Sequence, residues 1–500
     1  MRPRGYRHML LWLAAKSAFL RFRYACTFMY TCVAVLVMRF FRYALANGAA
    51  PSFLIFVTLL FSVTPAFAAI SVSTTRIGHG VDAWYVGNDS VPVVDMMISF
   101  EGAGSISDPE SKAGRAAFAA AMLTEGAGTL DSVSFARTLE ENAITMEISA
   151  SDDRLTIHIR CLRANAVRAG ELLAMALAQP QLAEGDMARI RAQMTSALTQ
   201  MDENPNYQAG RLLAAKAFAG HPYANPPFGT KTSVAHLGAQ DVRDYMKTYV
   251  TRGNVLITAA GDVSSGLLSD VLKKVVEALA ENDSGAVATT QTTMQGGGET
   301  LRQTMPVPQT VVQFAAPAMA RDDKHFYAMH LLNHILGGHG LFSRLADGLR
   351  QQKGLVYGIG TNLDMRRGAS LISGSLATRN ATADAAIAEV KTVLESLRTK
   401  GVTTEECNDA KAYVLGSFPL QLDRSQKVSN ILLMMRIQRL GEDYLSEREA
   451  LFNKVSCADI NAVAEQWLDP ARFVFAVVGG TPDMASPTLA PATTSSGDVR

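Results

Sequence analysis

This 500-residue chain repeats itself, and that constrains its fold more than any other feature. Tyr249–Val263 runs through an aromatic, an Arg-bearing turn, a buried-strand pattern and a glycine. Trp467–Thr481 does the same, with Gly479 falling 218 residues after Gly261. Leu182–Met194 and Val402–Val414 match in helical pattern at an offset of 220, and the alternating segment Val93–Phe100 corresponds to Thr310–Phe314. Offsets this constant point to duplication of one folding unit. The chain therefore builds two homologous domains rather than one enlarged core.

Within the first copy, Asp131–Asn142 predicts a helix capped by Asp131. Strands follow at Ile144–Ala150 and Leu155–Cys161, joined by the polar turn Ser151-Asp152-Asp153. In the second copy, Asp384–Arg398 places Ile387, Val390, Leu394 and Leu397 on one helical face. Helices segregated against such strands give an α+β class: two homologous domains, each an antiparallel-rich β-sheet packed against helices. The expected domains are 69–281 and 300–483, joined by a Ser-, Thr-, Gly- and Gln-rich linker at 282–299. A Pro/Thr/Ser tail at 484–500 has no core to bury and is expected to be disordered.

Charge separates the first 68 residues from the rest. They hold eight Lys/Arg and no Asp or Glu, which leaves 39 basic and 46 acidic residues beyond them. A mildly acidic body excludes a nucleic-acid binder, which needs a basic face. With 48% hydrophobic and 19% charged residues, the chain is not mainly disordered. Residues 51–68 form an apolar run ending in Ala66-Phe67-Ala68, behind Arg39 and Arg42, as a cleavable secretion signal does. The expectation is export to the periplasm of a Gram-negative cell, with no membrane attachment after cleavage near Ala69. A second apolar stretch, Tyr24–Val37, precedes Met38. Either translation starts at Met38, the reading favoured, or the stretch is an anchor shorter than the ~20 residues a span needs.

Cys26 and Cys32 fall in the leader, leaving Cys161, Cys407 and Cys457 far apart and odd in number. A disulfide suits an oxidising compartment, but spacing does not show one. The expectation is three isolated buried cysteines.

Several stretches together resemble the pitrilysin-type zinc peptidases of the insulinase superfamily, in the two-domain form related to mitochondrial processing peptidase. Glu101–Gly114 resembles the strand and loop before that family's zinc helix, and His221-Pro222-Tyr223 with Gly229-Thr230 resembles its HPY…GT segment. Asn254–Val263 resembles its domain-closing strand. Ile335–Tyr357 (ILGGHGLFSRLADGLRQQKGLVY) resembles its second-domain signature, the most specific of these matches.

The chain then departs from the family. Active members carry an inverted HxxEH helix, in which two His one turn apart bind zinc and the Glu activates water. Here the position reads Ala117-Phe118-Ala119-Ala120-Ala121, so alanine replaces both ligands (Ala117, Ala121) and the base (Ala120). The family's later Glu ligand falls in Ser196-Ala197-Leu198 and is missing too. Alanine has no lone pair for a metal and no proton to move, so the first-domain zinc site is absent; the expectation is no cofactor in this chain, with zinc in a partner subunit.

A rival site is His330-Leu331-Leu332-Asn333-His334, on the equivalent helix of the second copy, with Glu405 or Glu406 as a third ligand. Asn cannot replace the general base, because its amide does not titrate usefully. The resemblance instead implies that Arg350 and Tyr357 face a partner's zinc across the substrate. There Arg350 forks onto a peptide carbonyl or carboxylate, and Tyr357 stabilises the oxyanion. The bland alternative is a helix-end charge and a strand-core tyrosine. Gly337, Gly338 and Gly340 form a loop for substrate; its context lacks the Lys of a phosphate loop.

The leading expectation is a non-catalytic, peptide-binding subunit, inactive alone. It would form a heterodimer with an HxxEH-bearing homologue that supplies the zinc. A zinc-free scaffold or peptide-binding protein of the same fold, like the family's core proteins in respiratory complexes, is the second reading. An autonomous metallopeptidase using His330 and His334 is the third.

Overall fold

The computed structural model describes residues 71–281, 291–338 and 340–480. The leader 1–68, the first part of the linker, His339 and the tail 484–500 lie outside the described residues.

The first copy folds around a six-stranded sheet. In chain order its strands are β1 (Ser73–Gly78), β2 (Val81–Gly87), β3 (Val93–Glu101), β4 (Thr145–Ala150), β5 (Arg154–Leu162) and β6 (Val255–Gly261). In space they lie β1-β2-β6-β3-β5-β4, with β2 and β6 parallel and the other neighbours antiparallel. The helices that matter below are α1 (Arg115–Met122), α2 (Ser132–Glu141), α3 (Glu184–Asp202) and α4 (Pro205–Ala217). Helix α2 begins where its sequence predicts, with the Asp131 carboxylate accepting the Ser134 N–H at 2.8 Å.

The second copy repeats the plan with β7 (Thr300–Thr304), β8 (Gln309–Pro317), β9 (Val356–Met365), β10 (Ser370–Arg379) and β11 (Val474–Gly479). Their spatial order is β7-β11-β8-β10-β9, with β7 and β11 the parallel pair. Strand for strand, this is the first sheet without its outer β1, so β4 and β9 are equivalent edges. Gly261 and Gly479, which end the repeated segments, end the equivalent strands β6 and β11. A Cβ on Gly261 would strike the Val93 carbonyl oxygen, and one on Gly479 would strike the Thr310 side chain. This close approach explains why both copies keep glycine there.

Each copy has its own core: Met96, Phe100, Phe118 and Phe135 in the first, Phe314, Phe473 and Phe475 in the second. Helices α5 (Phe326–Asn333), α6 (Ala383–Lys400), α7 (Thr404–Ser417), α8 (Ser425–Ile437) and α9 (Cys457–Trp467) complete the second copy. Helix α6 buries the predicted stripe of Ile387, Val390, Leu394 and Leu397.

The copies exchange helices. α4 of the first packs on β8 and β11 of the second sheet, and α8 of the second packs on β3 and β6 of the first. Strand β3 is thereby covered on both faces and buried along nearly its whole length. Polar atoms caught in this seam are paired. Thr258 Oγ1 donates to the Ser429 carbonyl at 2.8 Å, and Gln313 Nε2 donates to the Asn206 carbonyl at 2.8 Å. Buried Asp95 accepts from Ser425 Oγ at 2.7 Å and pairs with His158 Nε2 at 3.1 Å. Arg436 reaches from α8 to Asp82, donating to its carbonyl and its carboxylate at 2.9 Å each.

One expectation is corrected here. Cys407 and Cys457 are not isolated: they form a disulfide that ties α7 to α9, with Cα atoms 5.8 Å apart. These two helices, fifty residues apart in sequence, touch each other and both pack on α5. Cys161 remains free and buried, and burial pushes its thiol up to about 11, where it is unreactive.

Candidate functional site

Helix α1 carries the segment that the sequence resemblance matches to a zinc helix. Its start is fixed independently of any metal. Asp108 accepts from the N–H groups of Gly114 (3.1 Å) and Ala116 (3.2 Å), and Arg115 beside it donates to the Ser107 carbonyl at 2.6 Å. Burial pushes the Asp108 carboxyl up from 3.8 to about 6, against the pull of those N–H groups and of Arg115. The segment carrying Gly229-Thr230 also braces this end. Ser233 Oγ donates to the Ala113 carbonyl at 2.7 Å, and Gly114 lies so close to the Phe228 carbonyl that a Cβ would sit 2.7 Å from its oxygen.

Ala117, Ala120 and Ala121 line a cavity of about 270 Å³ with Ile148, Ser149 and Ala150 of edge strand β4. Met194, Ala197, Leu198 and Met201 of α3, with Phe228, close the rest. The fold thus brings the three motif positions and the position of the missing Glu to one place. Zinc needs imidazole, thiolate or carboxylate donors about 2.0–2.3 Å away, and the only side-chain oxygen lining this cavity is the Ser149 hydroxyl. The residues do not fit the metal. They fit an apolar side chain.

The second-copy pair His330 and His334 sits on α5 and at the start of a π-helical turn, His334–Gly338. His330 lies among aromatic rings, 5.3 Å from that of Phe452 and 6.4 Å from that of Phe326, and burial lowers its pKa to about 4. His334 stacks on Tyr413 at 4.9 Å. Of the two candidate third ligands, Glu405 is exposed and is not gathered with the histidines, and Glu406 is engaged elsewhere. The Glu406 carboxylate takes both arms of the Arg344 guanidinium and accepts from the Thr403 N–H at 2.8 Å, capping α7. Among the described residues no group of three or more His, Cys, Asp or Glu is gathered as a metal requires.

The Arg350/Tyr357 frame has different geometry. Arg350 is exposed on a second π-helical turn, Asp347–Gln352, which packs against β9. Tyr357 stands on β9 itself, the outermost strand of its sheet, and is 75% exposed. It is therefore not the strand-core residue of the bland alternative. The register explains why. Val356 pairs with Thr378 but Gly358 pairs with Ala377, so Tyr357 is the extra residue of a β-bulge. Bulges turn a side chain away from the regular alternation and cluster beside active sites.

The glycine loop packs beside this strand. A Cβ on Gly337 would sit 2.5 Å from Thr361 Oγ1 of β9, and one on Gly338 would sit 3.1 Å from the Asn333 carbonyl oxygen. Gly340 has φ +57° with open space around it, and the Phe342 that follows is 82% exposed. Gln351 Nε2 donates to the Leu341 carbonyl at 2.6 Å, tying the loop to the Arg350 turn. π-Helical turns are rare and recur at functional sites. Two of them flank this loop.

Sequence reasoning missed a polar hub between the copies. Asp153, from the β4–β5 turn, accepts from Tyr223 OH at 2.6 Å and from the Arg367 N–H at 2.9 Å, while the Gly368 N–H donates to Tyr223 OH at 2.9 Å. Arg366 pairs with Asp152 and Asp364 at 2.8 Å each and lies over the Tyr223 ring at 5.1 Å. The HPY segment had marked Tyr223, but nothing in the sequence paired it with residues 145 positions away.

Comparison with known proteins agrees with this arrangement. Residues 90–231 match the insulinase (peptidase family M16) model, and residues 236–414 match the peptidase M16 inactive domain. A Helicobacter pylori protein named non-peptidase homolog YmxG is 28% identical over 434 residues, covering 84% of this chain and 97% of that protein. An uncharacterized zinc protease of Mycobacterium tuberculosis is 24% identical over 392 residues, covering 76% and 86%. Among solved structures, a peptidase M16 inactive domain from Pseudomonas fluorescens superposes with a TM-score of 0.77 at 25% identity, covering 82% of this chain and 98% of that one.

Proposed function

Because the chain belongs to the insulinase (M16) peptidase family and is a non-catalytic member of it, we propose that it is the substrate-binding subunit of a heterodimeric zinc metallopeptidase. The partner, a homologue with an intact HxxEH helix, supplies the metal. This chain supplies Arg350, Tyr357 and the Gly337–Gly338–Gly340 loop from the opposite wall. Arg350 forks onto a carbonyl or carboxylate of the bound peptide and holds it in place. The Tyr357 hydroxyl donates to the peptide oxygen as that oxygen gains negative charge. The apolar cavity beside β4 takes an apolar substrate side chain in place of a metal. We place the dimer in the periplasm, on the secretion signal at 51–68. The Cys407–Cys457 disulfide suits that oxidising compartment.

One contrast carries this reading: the three metal-motif positions are all alanine, while Tyr357 is turned out of its strand into solvent. A tyrosine kept only for packing would be buried. The test is cleavage of a quenched fluorescent peptide library by the mature chain, alone and mixed with an HxxEH-bearing homologue from the same genome. Activity is expected only in the mixture. There, Tyr357→Phe lowers it about 100- to 1000-fold, the usual loss for one oxyanion donor, and Arg350→Ala lowers it about tenfold or more. Zinc-dependent activity from this chain alone would sink the proposal. Silence in both would favour the scaffold reading.

A further inference from the structure

A cavity of about 1140 Å³ lies away from the proposed peptidase wall, at the junction of the two copies. One side is built from the end of β3 and the start of β5, and the other from the β9–β10 turn and the segments before α5 and after α8. Tyr357 and Met365 stand near opposite ends of β9, roughly 26 Å apart at ~3.3 Å per residue, so this cleft and the Arg350/Tyr357 frame are separate places.

Its charges are unusual. The chain beyond the leader is acidic overall, yet Arg154, Lys324, Arg367, Arg439 and Lys454 all line this cleft. None of the five is in an ion pair among the described residues. Two are held with donors already out of solvent: Arg154 Nε and Arg367 Nη1 are buried and meet no acceptor. Neighbouring Arg366 shows that the fold can satisfy a guanidinium here, since it has both Asp152 and Asp364. Arg367 differs although its backbone is pinned, its N–H to Asp153 at 2.9 Å and its carbonyl accepting from Gln291 at 3.2 Å. Each of these half-buried arginines has one N–H out of solvent and no carboxylate against it, so its remaining donors favour an anionic partner in the cleft.

We propose that this cleft binds an acidic, extended stretch of polypeptide whose carboxylates meet Arg154 and Arg367. Three features favour a chain over a compact anion. The volume exceeds the roughly 300–1,000 Å³ of small-molecule sites. Glu101, Asp322, Asp323 and Asp459 stand among the cations, where they would repel a dense polyphosphate but leave room for spaced carboxylates. Tyr327, Met365 and Leu440 add apolar wall for the side chains between them. The inference does not depend on a catalytic partner, because it concerns this chain alone.

The test is fluorescence anisotropy of the mature chain with a labelled peptide of alternating Glu and Ala. The same peptide with Gln for Glu is the control, and unlabelled tripolyphosphate is the competitor. The Glu peptide is expected to bind with an affinity that salt weakens, and the Gln peptide about tenfold less tightly or worse. Arg367→Gln and Arg154→Gln should each cost about tenfold. Arg439→Gln, at an exposed position where folding is not at risk, should cost severalfold, and Lys273→Gln on a distant exposed helix surface nothing. Equal binding of the two peptides, or indifference to all three arginine substitutions with folding intact, would overturn the proposal. Binding of tripolyphosphate but not of the Glu peptide would overturn it in favour of a free anion.

Discussion

The two copies present equivalent edges, β4 and β9, and have put them to opposite use. At β4 the neighbouring helix α1 is regular, rich in alanine and capped by Asp108. At β9 the equivalent helix α5 gives way to a π-helical turn, a glycine loop, a second π-helical turn and a bulge. The first edge encloses an apolar cavity, and the second turns Tyr357 and Phe342 into solvent. Helix α1 needs no metal to hold its place, because capping and packing fix it. Irregular backbone has no such support, because each departure from regular hydrogen bonding costs stability. Under the proposed function, that irregular backbone is what presents Arg350 and Tyr357 to the substrate.

The strongest way to break this comparison is to rebuild the lost site. If α1 and α3 still keep the spacing of a metal helix and its ligand, Ala117→His, Ala120→Glu, Ala121→His and Ala197→Glu together should convert a chain that retains no zinc into one that does. Metal analysis after exhaustive dialysis measures this. A folded variant without zinc would mean that the cavity has drifted from metal geometry.

A second difference is covalent. The second copy is cross-linked by Cys407–Cys457 across 50 residues, and the first has only free Cys161. Loop-closure entropy for that separation corresponds to about 4 kcal/mol. Replacing both cysteines by serine should lower the unfolding free energy by that order, read from denaturant titrations. The loss should appear first at Trp467 of the second copy, not at Trp84 of the first.

The smallest effect distinguishes the helix starts. The Asp108 carboxyl titrates near 6 when folded and near 3.8 when unfolded, so between those values the native state holds the proton more tightly. Its contribution therefore favours folding at low pH and weakens as pH rises through about 6, by at most about 3 kcal/mol. Asp108→Asn keeps an acceptor for Gly114 and Ala116 while removing the titration. It should flatten this part of the stability-against-pH curve, and an unchanged slope would show that Asp108 is not its source.

Much of the site was legible one element at a time. The Asp131 cap, the α6 stripe and the alanines of α1 follow from spacing, because a helix repeats its burial every three to four residues. Tyr357 was not legible in that way. A strand pattern assigns alternate residues to alternate faces, and the one-residue slip between Val356 and Gly358 cannot be seen without the partner strand. The cysteines were misjudged for a similar reason, since separation along the chain says nothing about which helices meet.

The sequence by itself determined the duplication, the α+β class and the absence of metal-binding side chains from α1, since these depend on residue identity and local period. The tertiary structure decided the exchange of α4 and α8, the Asp153–Tyr223 hub, the disulfide and the unsatisfied guanidiniums of the cleft. Each of these depends on which distant surfaces meet and at what register. That follows from the packing of whole elements, which no local pattern encodes.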